Sequence, residues 1–530
     1  MNKISIYRIN FVFIALFALF FVLFFRALFL YGLGDDLKSK SSNKVEKKSA
    51  RYEILDRNGK ILATDLITYT LYGEPSTIRS LDKVIGDLSK FFPKHNWKSV
   101  NKKLSNKKFL GRVLLIRDLT PKQRYEINSL GHVGLYFHED NKRFYPHKNI
   151  LSHVLGFVDR EEHGLSGFEG YFGKSSNKAD FIQDDQVTLS IDLQIQNITH
   201  QELSYAVKKF SAKGGVALVM NASNSEIYSL VSLPDFNPYD PGESLRNKNY
   251  NNKASYDLHE MGSTFKIFTM ALALENNLIE LDEMLDVSEN IKISGYKIKD
   301  FKKIKEDISI RDVFVRSSNI GTTRIAQKFS EEQQKEFFNK LHLFEPLEVE
   351  LVEKSYSKIP RRWGLTRKIT ASYGYGVSVS ALHLNQAIAA IVNQGHFLPA
   401  TLIKGKNNMR IPEKIISDKT SAQVRELLGE VVSRGTARRA YSKGYRIGGK
   451  TGSANKIGRF GYDEDRLLSS FVGVFPVDKP KFIVYAFLDE PNGIAETGGY
   501  ATGGATAAPV VKNIIERMAP LYNIVPDEEY

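Results

Sequence analysis

Apolar positions fall into runs of different character along the chain. From Phe11 to Leu33 nearly every residue is apolar (FVFIALFALFFVLFFRALFLYGL), and only Arg26 interrupts the run. A helix over these residues rises about 35 Å, enough to cross a hydrocarbon layer of about 30 Å. No small-residue cleavage pattern closes the run, so it predicts one uncleaved transmembrane helix (11–33) rather than a signal peptide. Lys3 and Arg8 favour residues 1–10 as an inner tail, whereas Lys38, Lys40, Lys44, Lys47 and Lys48 weigh the other way. Residues 34–50 are polar and small and read as a linker.

Beyond the linker the pattern turns globular. Ile54, Leu55, Ile61 and Leu62 flank Asn58-Gly59, which predicts a hairpin. Residues 80–130 read as mostly helical and basic. DQVTLSID (185–192) reads as a strand and QIQNITHQELSYAVKKF as a helix ending near residue 210. GGVALVMN and EIYSLVSLP read as two strands around an Asn/Ser turn, and LLSSFVGVFP and KFIVYAFLDEP as two more. Longer α/β elements begin near residue 185. The expected organisation is therefore a non-catalytic α+β module over 51–184, an α/β domain over 185–520 and a tail over 521–530.

Composition narrows the possibilities. The chain has 530 residues and no cysteine, which excludes a disulfide-stapled fold and Cys-ligated zinc or iron–sulfur centres. Lys plus Arg number 74 against 60 Asp plus Glu, a formal charge of +14. The Lys-rich stretch in 80–130 has neither aromatic interleaving nor a zinc or helix-turn-helix signature, so a solvated surface is favoured over a nucleic-acid site.

Three short segments carry candidate chemistry. Ser263 follows Gly262 and opens a long apolar stretch, STFKIFTMALALENN, with Lys266 one turn further on the same helical face. A serine hydroxyl needs a base to become a nucleophile, and a lysine serves only if burial or a neighbouring cation keeps it neutral. Ser-x-x-Lys alone is weak, since Ser41/Lys44, Ser99/Lys102, Ser105/Lys108, Ser294/Lys297 and Ser355/Lys358 also fit. Ser317-Ser318-Asn319 offers a hydroxyl and an amide two positions apart; a helix cap or turn explains it equally well. Lys450-Thr451-Gly452 occurs once and is followed by Ser453 and predicted strands. On a sheet edge it presents an ammonium, two hydroxyls and open backbone to an extended peptide. Gly444 to Thr451 also satisfies the P-loop letters G-x-x-x-x-G-K-T, but that motif needs a buried strand before it and a helix opening at its Lys-Thr.

The ordered set Ser-x-x-Lys, Ser-x-Asn, Lys-Thr-Gly resembles the signature of penicillin-recognising serine enzymes. Ser317 follows Ser263 by 54 positions and Lys450 follows Asn319 by 131, spacings similar to those of penicillin-binding proteins. RYEILDRNGKILA resembles the opening of the N-terminal module of class B members, with Tyr52 where Gly is usual. RFYPHKNILSHVLGFV and GLSGFEG resemble its next patches, and YGYGVSVSALHLNQAIAAIVNQG the septal, division-specific branch. Met261 stands where many relatives have Pro, and Ser453 where Thr is commoner.

The resemblance implies a penicillin-binding/transpeptidase fold, an antiparallel sheet flanked by helices, on an α+β pedestal with one transmembrane helix. It implies a D,D-transpeptidase cross-linking peptidoglycan stem peptides during septal wall synthesis, trapped by β-lactams. Ser263 attacks the D-Ala-D-Ala carbonyl and Lys266 takes its proton. Ser317 protonates the leaving D-Ala, and Asn319 holds the substrate amide and orients Lys266. Lys450 helps keep Lys266 neutral, Thr451 and Ser453 bind the substrate carboxylate, and Gly452 lets the ligand backbone approach closely. The N–H groups of Ser263 and Ser453 form the oxyanion hole. No metal or organic cofactor is implied. Expected partners are the stem peptides, the cytoplasmic membrane with the catalytic domain outside, a membrane glycosyltransferase and other division proteins. The competing readings are an elongation-type transpeptidase, a carboxypeptidase or β-lactamase, in which Glu336 and Asn339 loosely fit a water-activating pattern, and a non-enzymatic β-lactam sensor or division scaffold.

Overall fold

A computed structural model describes residues 11, 14–26, 51–105, 111–174, 181–247, 249–293, 295–458 and 461–528. Among them no helix is long and apolar enough to cross a membrane. Residues 14–26 are helical and exposed, while 12, 13 and 27–33 of the expected span, the tail 1–10 and the linker 34–50 lie outside the described residues.

The larger compact unit, residues 52–64 and 143–530, is built on a five-stranded antiparallel sheet. Its spatial order is Gly448–Gly458, Gly461–Phe475, Phe482–Asp489, Gly214–Asn221, Ile227–Leu233. Every residue of Phe482–Leu488 and of Ile227–Leu233 is buried, so both faces of these strands are covered. That is why they read as continuous apolar runs rather than alternating ones. The helices Leu193–Lys209 and Ala507–Met518 pack on the sheet and on each other. Two further helices, Lys266–Glu275 and Ala381–Val392, are buried almost all round; every residue of the second is buried. A helix buried all round belongs inside a core, and the two touch each other there.

The predicted hairpin is present. Ile54 pairs with Ala63 and Leu55 with Ile61 around the Asn58-Gly59 turn, and Asp56 Oδ1 accepts from the Asn58 and Lys60 N–H groups at 2.8 Å each. Residues of the two N-terminal patches meet in a buried pair, Arg143 Nε donating to Glu169 Oε1 at 2.6 Å. The smaller unit, residues 1–51 and 65–142, has its own core of Leu71, Val84, Leu88, Val100, Leu104 and Leu115.

Two expectations need correction. The basic segment 80–130 is helical at Leu81–Phe91, Trp97–Leu104 and Pro121–Asn128, but Val113–Leu119 is a strand paired with Ile61–Gly73. The strand expected over 185–192 is confined to Gln186–Thr188. Asp192 instead caps the next helix, its Oδ1 accepting from Gln194 N and Ile195 N, which ends the extended run. By compactness, residues 143–184 group with the sheet.

Candidate active site

Gly262–Phe265 form a single 3-10 turn that leads into the buried helix Lys266–Glu275. Met261, Gly262, Thr264, Phe265 and Lys266 are buried, and Ser263 alone of this turn is partly exposed. The turn is pinned on several sides. Thr264 Oγ1 donates to the Met261 carbonyl at 2.8 Å, and Gly262 N donates to the Gly374 carbonyl at 3.1 Å. Gly262 has φ +55°, and a Cβ there would lie 2.6 Å from the Ser453 carbonyl oxygen, so a side chain would separate the turn from the active-site strand.

The lysine is not bonded to the serine. Lys266 Nζ lies 2.6 Å from the Ser317 carbonyl oxygen, 2.8 Å from Asn319 Oδ1 and 3.2 Å from Ser317 Oγ. Lys450 Nζ donates to the same Ser317 Oγ at 2.9 Å. Ser317 has φ +59°, a left-handed conformation rare for a side-chain-bearing residue, which places its carbonyl and hydroxyl on one side toward the two lysines. Lys266 and Lys450 are 1 % and 0 % exposed. Burial, then the neighbouring Lys450 cation, holds the Lys266 amine well below the ordinary lysine range. Burial brings Lys450 down to about 7.

Lys450 to Ser453 lie on Gly448–Gly458, an edge strand of the sheet. Lys450 pairs with Val472, Thr451 with Phe471, Gly452 with Ser470 and Ser453 with Ser469. A Cβ on Gly452 would meet Ser470 Oγ at 2.4 Å and the Met261 carbonyl oxygen at 2.9 Å, so this strand lies directly on the nucleophile turn. Ser453 Oγ accepts from Gly503 N at 3.1 Å, which leaves its own proton free for an anion. Thr451 Oγ1 and Thr436 Oγ1 are 2.9 Å apart. Because Lys450 and Thr451 are inside a strand, the helix that a P-loop requires at this point is absent. Glu336 is exposed on its helix Glu331–Lys340.

All eight residues singled out by sequence, Ser263, Lys266, Ser317, Asn319, Lys450, Thr451, Gly452 and Ser453, thus fall on three segments that converge on one another. Sequence reasoning missed several supports. Glu260 Oε1 accepts from Gly376 N at 2.5 Å and from the Tyr462 hydroxyl at 3.1 Å, tying the hairpin after the edge strand to the nucleophile turn. Burial raises the Glu260 carboxyl above the ordinary glutamate value. Asp300, Thr436 and Gly503 were also unmarked; none sits in a motif, and no local pattern distinguishes them.

Residues 215–516 match the family model of the penicillin binding protein transpeptidase domain, and residues 46–178 that of the penicillin-binding protein dimerisation domain. The chain belongs to the penicillin-binding proteins. It is a class B member of the division-specific branch. Similar curated penicillin-binding proteins include the probable peptidoglycan D,D-transpeptidase FtsI of Caulobacter vibrioides, 34 % identical over 90 % of this chain and 82 % of its own length. The stage V sporulation protein D of Bacillus subtilis is 30 % identical over 92 % and 81 %. Among solved structures, penicillin-binding protein 3 of Mycobacterium tuberculosis complexed with aztreonam shares the fold at TM-score 0.69 and 22 % identity, covering 90 % of this chain and 97 % of that one.

Proposed function

We infer that this class B penicillin-binding protein is a serine D,D-transpeptidase that cross-links peptidoglycan stem peptides during septal wall synthesis. The observation that carries the reading is the meeting of three distant segments, with Lys266 Nζ bonded to Ser317 and Asn319 and Lys450 Nζ bonded to the same Ser317 hydroxyl.

A donor count supports the roles. The Ser317 carbonyl and Asn319 Oδ1 accept only, so Lys266 donates to both. In the neutral amine the remaining position is a lone pair, and the 3.2 Å contact can run from the Ser317 hydroxyl to Lys266. A chain Lys450 N–H to Ser317 Oγ–H to Lys266 results. When substrate arrives, the Ser317 hydroxyl turns to the substrate and frees the Lys266 lone pair, which takes the Ser263 proton as Ser263 Oγ attacks the penultimate D-Ala carbonyl carbon. The tetrahedral oxyanion is held by the N–H groups of Ser263 and Ser453. The C–N bond to the terminal D-Ala breaks as Ser317 passes it a proton, which Lys266 replenishes. An acceptor amine then attacks the acyl-enzyme, closing the cross-link and returning the proton to Ser263. Thr451 and Ser453 hold the terminal carboxylate, and Gly452 lets the edge strand seat against Ser470 and the Met261 carbonyl. β-Lactams acylate Ser263 by the same route.

In this reading residues 11–33 anchor the chain in the cytoplasmic membrane by one helix, with the catalytic domain outside. Residues 51–184 form the non-catalytic module and 185–520 the transpeptidase domain. A membrane glycosyltransferase and other division proteins are its working partners. The test is labelling of the full chain with a fluorescent penicillin and mapping of the modified peptide. The adduct is expected on Ser263 and absent from Ser263→Ala; an adduct on another serine overturns the assignment.

A further inference from the structure

Asp300 lies outside every motif, yet it reaches the second of them from behind. It follows the short strand Tyr296–Ile298 and is half-buried. Its Oδ2 accepts from Ser318 Oγ at 2.7 Å, and its Oδ1 accepts from the backbone N–H groups of Asn319 at 2.5 Å and Ile320 at 3.0 Å. These N–H groups open the helix Asn319–Gln327 and have no partner within the helix, so the carboxylate satisfies them and the positive helix end together. The preceding residue completes the clamp, because the Lys299 carbonyl accepts from Asn319 Nδ2 at 3.0 Å. That bond fixes which way the amide faces. With Nδ2 committed to Lys299, Oδ1 turns toward Lys266 Nζ at 2.8 Å.

We propose that Asp300 is a positioning residue for acyl transfer: by clamping the start of the helix at Ser318, Asn319 and Ile320 it holds the Asn319 amide on Lys266. This rests on the transpeptidase reading above. Among the described residues the charged groups that act on Lys266 are Lys450, from the edge strand, and Asp300; its other contacts, Ser317 and Asn319, are uncharged. The two charges pull in opposite directions. Lys450 favours loss of the Lys266 proton, and Asp300 favours its retention.

The sign of that effect separates positioning from mere structural support. Asp300→Asn keeps an oxygen for the Asn319 and Ile320 N–H groups and can donate to Ser318 Oγ, but it removes the charge. Lys266 then loses its proton more readily, and the acid limb of the acylation profile moves to lower pH. Asp300→Ala removes the clamp as well. Displacement of a catalytic group by about 1 Å costs roughly 100-fold.

The experiment measures the second-order rate of fluorescent-penicillin labelling of the full chain in detergent, from pH 5 to pH 9, for wild type, Asp300→Asn and Asp300→Ala. The expected result is a limb shifted down in Asp300→Asn, with a rate loss of about tenfold or less, and a loss of roughly 100-fold in Asp300→Ala. If wild type labels at Ser263 and Asp300→Asn reproduces its limb, the proposal falls while the transpeptidase reading stands. If wild type does not label at Ser263, the transpeptidase reading fails first. Should Asp300→Ala not fold, the limb of Asp300→Asn decides alone.

Discussion

Lys266 and Lys450 converge on one oxygen: Ser317 Oγ lies 3.2 Å from the Nζ of the first and 2.9 Å from the Nζ of the second. Two buried amines sharing one hydroxyl cannot both keep a full charge cheaply, and the hydroxyl between them is the natural conduit for a proton. Ser317→Ala removes the conduit while leaving the Ser317 carbonyl and Asn319 bonds to Lys266 in place. Labelling by a fluorescent penicillin is expected to slow by about 100- to 1000-fold, with thermal stability close to wild type. A rate within threefold of wild type would show that the proton travels another way.

Removal of the second cation acts on the first through charge. In Lys450→Met the protonated form of Lys266 is no longer opposed by a neighbour, so it persists to higher pH. The acid limb of the labelling profile is expected to move upward, opposite to the shift from Asp300→Asn. Profiles for the two variants, measured side by side, check the sign; a limb unmoved in both variants removes Lys266 as the titrating base.

The same substitution bears on stability. The folded pKa of Lys450 is about 7 against an ordinary 10.5, so the unfolded chain binds the extra proton between those values. Wild-type stability therefore rises with pH across that window, and the cost of the buried cation is complete below about pH 7. Lys450→Met is expected to stabilise the protein by about 1–3 kcal/mol below pH 7, a gain that fades as pH approaches 10.5. Thermal melts at pH 6 and at pH 9.5 test this; a gain that grows with pH would contradict the assigned direction.

The catalytic motifs were readable because their residue types are rare in combination and keep their order over a long span. The sheet strands were readable because burial on both faces makes them continuous apolar runs. Val113–Leu119 was missed because its apolar residues sit among lysines that read as one helical surface. Gln186–Thr188 was overextended because Asp192, an unremarkable acid in sequence, turns out to be a helix cap. Asp300 and Thr436 act only through tertiary contact. A side chain that accepts two backbone N–H groups 19 and 20 positions away leaves no periodic or local trace.

Gly374 illustrates a constraint of backbone on backbone. It has φ +87°, and a Cβ there would stand 1.9 Å from the Gly262 carbonyl oxygen. Gly374→Ala must push away the turn that carries Ser263. The expected cost is about 2–4 kcal/mol, with labelling at Ser263 reduced by at least tenfold in the folded fraction. Gly86→Ala is the control. It lies inside the helix Leu81–Phe91 with nothing within 4 Å of its Cβ position, and gains about 0.5–1 kcal/mol. Equal effects of the two substitutions would deny that the Gly262–Gly374 contact matters.

Thr436 and Thr451 test how the carboxylate pocket is tuned. Their hydroxyls are 2.9 Å apart, and when Thr436 donates to Thr451 Oγ1, the Thr451 proton is free to point at a bound carboxylate. Ser453 is set in the same way by the Gly503 N–H. Thr436→Val keeps the shape and removes the donor, so the Thr451 hydroxyl loses its preferred direction. One neutral hydrogen bond is worth about 0.5–1.5 kcal/mol, or roughly two- to twelvefold in affinity. Because the lost order concerns the carboxylate and not the Ser263–Lys266–Ser317 machinery, the change belongs in binding. Stopped-flow acylation over a range of penicillin concentrations is expected to show a weaker apparent dissociation constant of that size with a limiting rate within twofold of wild type. A fall confined to the limiting rate would instead assign Thr451 to the chemical step.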